Sequence, residues 1–183
     1  SGGAISNVHS EVNVTGSNKV GGLVGYSTAS ITTSSAKGIV VGQDSVGGLV
    51  GATTVSIMGT EKNNTYFLGS VTGRKCVGGL VGFGKNVSKS YADGAVKGDS
   101  SYVGGIAGYA NGNLDSVYHI GGDVNGSGYV GGLVGTATGN VKNSYSKGKV
   151  TGRSSNIGGL AGHVLGSVDK VYHIEGNVNG KDF

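Results

Sequence analysis

A hexapeptide of the form [VI]-G-G-[LI]-[VA]-G recurs six times in this 183-residue chain, at residues 20–25, 46–51, 77–82, 103–108, 130–135 and 157–162. The first glycines of successive copies lie 26, 31, 26, 27 and 27 residues apart. A period this regular marks a stacked-repeat architecture, in which each unit buries its apolar face only against its neighbours. Other columns keep the same period. Val14, Val40, Val71, Val96, Val124, Val150 and Val178 each stand two residues before a glycine. A further apolar column runs Ile5, Ile31, Val87, Leu114, Val141 and Val168. It reads as broken only in the third unit, where an insertion around residues 58–63 lengthens the repeat.

Each unit holds short Val-rich segments separated by Gly, Ser and Asn, with no periodic stretch long enough for a helix. Valine is stiff at χ1 and suits a pleated surface. The expected fold is therefore all-β: a parallel β-solenoid (a right-handed β-helix) with about three short strands per rung and six to seven rungs. At about 4.8 Å per rung this makes a rod roughly 30 Å long. The 40 glycines would signal disorder without a period. With one, they are expected to serve left-handed corners and close approach of coils. The absence of Pro fits a chain whose backbone N–H groups nearly all donate to the next coil. One solenoid is expected over residues 1–183, as a segment of a larger protein whose flanking domains cap it.

An aromatic column follows the apolar one: Tyr66, Tyr91, Tyr118, Tyr145 and Tyr172, with His9 and Ser35 at the earlier positions. Strand alternation sets the mostly polar positions two residues further on outward, and the tyrosines with them. The small column before them, Ser34, Thr65, Ser90 and Ser144 among it, then faces inward. Stacking alone accounts for such a ladder. Its exposed face is also the candidate binding strip. The insertion, residues 55–65, is expected to protrude as a loop beside the strip, with Ile57, Met58, Glu61, Lys62 and Asn63 as candidate recognition residues.

Several functional classes find little support in the residues. A net charge of +4 with 13 % charged residues leaves no nucleic-acid footprint, and no apolar run is long enough for membrane insertion. Cys76 stands alone, so it forms no internal disulfide and belongs to no thiolate-rich metal site. Residues 79–86 approach a phosphate-binding loop, but Asn86 stands where Ser or Thr is needed, and residues 87–91 read as a strand. His119 and His173 follow the tyrosine column two rungs apart, about 9.6 Å by backbone, and read as surface residues rather than metal ligands. Asp115 and Asp169 share a column at the same separation. They are expected to bond their own backbone at a turn rather than act as a glycosidase pair. No cofactor and no catalytic residue is expected. The basic residues Lys62, Lys89, Lys142 and Lys170 precede the tyrosine column, while Lys19, Arg74, Lys75 and Arg153 precede the glycine motif. They read as solubilising charges.

The Gly-Leu-Val-Gly run, as at residues 22–25, resembles the GLUG motif and recurs over nearly the whole chain. Proteins with this motif include bacterial adhesin-like surface proteins and secreted immunoglobulin-A-cleaving metallopeptidases. The resemblance implies an extracellular bacterial location and a non-catalytic structural or adhesive module that meets a host protein or glycan. An alternative it implies is an accessory, substrate-positioning domain of such a peptidase. It implies no peptidase activity here, since the chain has no H-E-x-x-H. A carbohydrate-active β-helix enzyme is a more distant reading.

Overall fold

The second coil shows how the repeat becomes structure. Its strand segments are Ile31–Thr32, Ser35–Val41, Asp44–Gly47 and Val50–Thr53. The chain bends at Thr33 (φ 45°) and Ser45 (φ 55°), with Gly38 (φ 141°) between them. Coils like this one stack through the computed structural model, which describes residues 3–180. Every strand pairing recorded in it is parallel, and all of its regular elements are strands. The protein is a parallel β-solenoid of about six turns.

Three sheets run along the rod: one of 15 strand segments and two of six. In the large sheet each coil contributes up to three consecutive segments, whereas the two glycine-motif strands of each coil supply the small sheets. Register keeps the sequence columns intact. Val14, Val40, Val71, Val96, Val124, Val150 and Val178 are successive partners. So are Val20, Val46, Val77, Val103, Val130 and Ile157. In a parallel ladder this identity buries like against like, and the central members of both columns are almost wholly excluded from solvent.

The third apolar column is unbroken, which corrects the expectation of a gap. Ile57 pairs with Ile31 on one side and Val87 on the other, and it is fully buried. The inserted residues begin after Met58 and end before Thr65, which is buried in the next strand. The protruding loop is therefore residues 59–64. Ile57 belongs to the core and not to a recognition loop, because its apolar side chain completes a ladder that the adjacent coils already offer.

The motif glycines serve close approach, and none of them has a positive φ. A Cβ on Gly47 would lie 2.1 Å from the Val50 carbonyl oxygen and 2.6 Å from the Gly82 nitrogen. One on Gly51 would lie 2.3 Å from the Lys19 carbonyl carbon. The two small sheets thus meet backbone to backbone, with no room for a side chain between them. The second glycine makes space for the large sheet instead: a Cβ on Gly48 would meet the Phe67 ring at 2.2 Å. Left-handed geometry is shared differently from the expectation. The column from Gly38 to Gly176 uses glycine, but two other left-handed columns carry ordinary side chains, among them Lys19, Ser45 and Cys76 in one and Thr33, Lys89 and Asn143 in the other. The second of these corners is closed by buried hydroxyls. Ser34 donates to the Thr32 carbonyl (2.8 Å), Ser90 to Ser88 (2.7 Å) and Ser144 to Lys142 (2.5 Å).

Candidate binding site

Alternation along the long strands of the large sheet settles the facing of the tyrosines. In Thr65–Gly73, Thr65 and Phe67 are buried while Tyr66 between them is half-exposed. Tyr91, Tyr118 and Tyr145 are likewise flanked by buried residues, and Tyr172 is largely exposed. All five tyrosines therefore face outward and are rung-to-rung partners. Their rings associate as two pairs. Tyr66 and Tyr91 stack with centroids 4.9 Å apart and planes 5° from parallel; Tyr118 and Tyr145 lie 4.8 Å apart at 31°. The Tyr91 phenol is pushed above its ordinary pKa, mainly by burial against its neighbours and further by Tyr66 and Asp93.

The same alternation sends the next residue inward, which corrects the surface reading of His119 and His173. His119 has no solvent exposure, and its Nε2 donates to the Gly94 carbonyl oxygen (3.1 Å). Its Nδ1 is buried without a hydrogen-bond partner. Burial holds this imidazole below the ordinary histidine pKa, against weaker opposing effects of backbone hydrogen bonds and of Asp93 and Asp123. His173 is half-buried; its Nδ1 lies 3.0 Å from the Ser146 hydroxyl, which itself donates to the Gly159 carbonyl oxygen (2.8 Å). Among the described residues no three His, Cys, Asp or Glu side chains are grouped so as to hold a metal ion.

The loop stands beside the aromatic ladder, as its place in the sequence implies. At its base the Thr65 hydroxyl donates to the Met58 carbonyl oxygen (2.7 Å). Within it the Thr60 hydroxyl accepts from the Asn63 N–H (3.0 Å), and the Thr60 N–H donates to the Asn63 carbonyl oxygen (2.7 Å). Glu61 forms an exposed ion pair with Lys89 on the next coil. A recess of ≈ 300 Å³ lies between loop and ladder. Lys62, Asn63 and Asn64 form one wall, Tyr66 and Tyr91 another, and Asn7, His9 and Thr33 of the first two coils complete it. Of the candidate recognition residues, Lys62 and Asn63 line the recess. Glu61 anchors the loop from outside, and Met58 is a strand residue at its edge. Asn7 and Thr33 escaped the sequence reading, which placed His9 in the tyrosine column and Asn64 in the insertion without naming either as a recognition residue; Asn7, His9 and Thr33 are brought to the site by the stacking of earlier coils.

A second aromatic surface also escaped it. On the small sheets Phe83 stacks on Tyr109 (5.3 Å), Tyr109 meets Tyr102 edge-on (5.6 Å), and Tyr102 stacks on Tyr129 (5.2 Å). These rings come from two columns seven residues apart that only the glycine arch makes adjacent. Lys75 lies over the Tyr102 ring (5.8 Å). Cys76, in the same column, is partly buried; burial pushes its thiol above the ordinary value, away from thiolate chemistry.

The remaining candidates find structural roles. Asp115 accepts from the Asn143 amide (2.9 Å) and the Ser116 hydroxyl (3.1 Å), both side chains rather than its own backbone as expected. In register, Lys142 stands between Asp115 and Asp169. The phosphate-loop-like residues lie in the strands Val81–Gly84 and Val87–Asp93 and the bend between them. What the recess offers is recognition chemistry: ring faces and edges, phenolic hydroxyls, amides that both donate and accept, and an ammonium group.

No curated protein and no solved structure matches the chain. The family model of the GLUG motif matches residues 126–151, which contain the fifth glycine hexapeptide and the coil corner that follows it. The other five hexapeptides occupy the same register in the two small sheets, so the array as a whole is a GLUG-motif repeat region.

Proposed function

We propose that this solenoid is a non-catalytic, adhesive module of an extracellular bacterial protein, cell-surface or secreted, which holds a contact surface for a host protein or glycan on a stiff rod. One observation carries the reading: the inserted loop, the only departure from the repeat of this size, forms a recess with the outward tyrosine ladder. A loop serving the fold alone has no need of such a wall, since the neighbouring coils turn the same corner with one residue, such as Lys89. Resemblance of the repeat to those of bacterial surface and secreted proteins supports the extracellular setting. The test replaces residues 59–64 by a single Lys, giving the third coil the corner of the fourth. Binding to a glycan array and to immobilised immunoglobulin A is then compared with that of the parent chain. The variant is expected to keep its β-sheet circular dichroism and lose binding. Equal binding by both proteins refutes the role of the loop, and absence of binding by the parent to either surface refutes the adhesive reading in this form.

A further inference from the structure

The tyrosine ladder has one step without a ring. His9, Ser35 and Tyr66 are successive rung partners, followed by Tyr91. Tyr91 covers one face of Tyr66, and the other face turns toward the rung of Ser35, where the column supplies only a hydroxymethyl group. His9 and Tyr66 are two rungs apart, about 9.6 Å by backbone. This is close to twice the 4.9 Å separation of the Tyr66 and Tyr91 rings. By backbone, the spacing is that of a ladder with one ring left out. His9 is tethered with its Nδ1 2.7 Å from the Ser35 hydroxyl, and Ser35 is only 6 % exposed, so the imidazole and not Ser35 meets the space.

The recess opens over this step: His9 and Tyr66 both line it, while Ser35 lies covered beneath. We infer that it receives one pyranose ring of a glycan, with the apolar face of the sugar against the free face of Tyr66 and its hydroxyls turned to the loop. The inference rests on the reading of the solenoid as a binding module, and adds the place and the ligand class. One observation favours a sugar over a wholly aromatic ligand, and two more favour a small ligand at this place. The wall opposite the ring is formed by the Asn63 and Asn64 amides and Lys62, with Asn7 and Thr33 nearby. Amides donate and accept at once, as vicinal hydroxyls do, whereas a hydrocarbon ring would desolvate these groups without pairing them. The size also fits: ≈ 300 Å³ is at the lower end of small-molecule sites, which run from roughly 300 to 1,000 Å³. Finally, the hydrogen bonds within the loop fix its backbone before a ligand arrives, so less ordering entropy opposes binding.

The experiment follows amide chemical shifts of the whole chain during titration with methyl glycosides of glucose, galactose, N-acetylglucosamine and glucuronate. At least one is expected to give saturable shifts confined to residues 7–9, 33–35, 62–66 and 91. Ser35→Tyr sets a side-chain ring at the step between His9 and Tyr66 and is expected to weaken that binding at least tenfold. Should Ser35→Tyr fail to fold, Asn63→Ala with Lys62→Ala, both on the exposed loop, is expected to weaken it by a similar factor. Saturable shifts that map elsewhere, or that persist unchanged in these variants, overturn the site. If none of the four glycosides gives saturable shifts, the ligand class is wrong. Loss of array or immunoglobulin binding on replacement of the loop, with binding kept in Ser35→Tyr, removes this ring site and leaves the module reading intact.

Discussion

His119 fills the place in its coil that Phe67 fills two coils earlier. The inward column runs Ser10, Ala36, Phe67, Ala92, His119, Ser146 and His173, so from Ala36 onward a small side chain alternates with a ring. Each ring lies over the second glycine of a hexapeptide, Phe67 over Gly48, His119 over Gly105 and His173 over Gly159. A ring is larger than one rung can hold, and the small neighbours yield it the volume. Using an imidazole in this position has a consequence for pH. The folded chain holds His119 neutral, below its ordinary pKa, while the unfolded chain takes up a proton near pH 6.5. Below that pH the unfolded state binds more protons than the folded one, so stability falls as pH falls from about 6.5 toward the depressed folded value. Urea midpoints measured between pH 8 and pH 5 are expected to drop for the parent chain and to drop less for His119→Phe. Equal slopes for the two proteins exclude His119 as the source.

At the scale of the element, the glycine arch and the inserted loop respond oppositely to sequence change. In the arch, two strands and the facing sheet approach until a single methyl group has no place. Gly48→Ala sets a carbon 2.2 Å from both the Gly79 carbonyl oxygen and the Phe67 ring. It is expected to cost about 3 kcal/mol or more, the upper range for forced overpacking. Gly128→Ala is the control: its nearest neighbour is 3.7 Å away, and the change is expected to stay within about 0.5 kcal/mol. Denaturant unfolding of the two variants checks both values. This element was legible as a motif but not as a mechanism. The sequence reading expects both left-handed corners and close approach of coils; that the hexapeptide glycines serve the approach alone appears only when Gly51 is seen against the Lys19 carbonyl carbon. The loop was legible as an insertion with its limits blurred, because Ile57 looks like part of a break until Ile31 and Val87 are found on either side of it.

The whole molecule is close to one-dimensional, since each coil touches chiefly the coil before and the coil after. Stability in such a stack is a sum of unit terms and nearest-neighbour interfaces. Interior coils have two interfaces, and their core residues Leu80, Ile106 and Leu133 are wholly buried. In the end coils of the described chain the same column, at Leu23 and Leu160, is only partly buried, and Val168 of the neighbouring apolar column is 51 % exposed. Hydrogen exchange is therefore expected to be slowest in residues 77–134 and to quicken toward both ends. Uniform protection along the rod contradicts nearest-neighbour control.

By itself the sequence determined the solenoid, its rung columns and the outward face of the tyrosines. Those follow from a period near 26 and an alternation of two, and both are local properties of the chain. Only the tertiary structure decided which residues from different coils share a site. Asn7 and His9 meet a loop more than 50 residues later and Thr33 one about 30 residues later, and Phe83, Tyr102, Tyr109 and Tyr129 join in one surface. The period sets which residues share a column. Which columns then lie side by side depends on how tightly the chain turns between them, and the close approach of backbones at the glycine arch sets that turn.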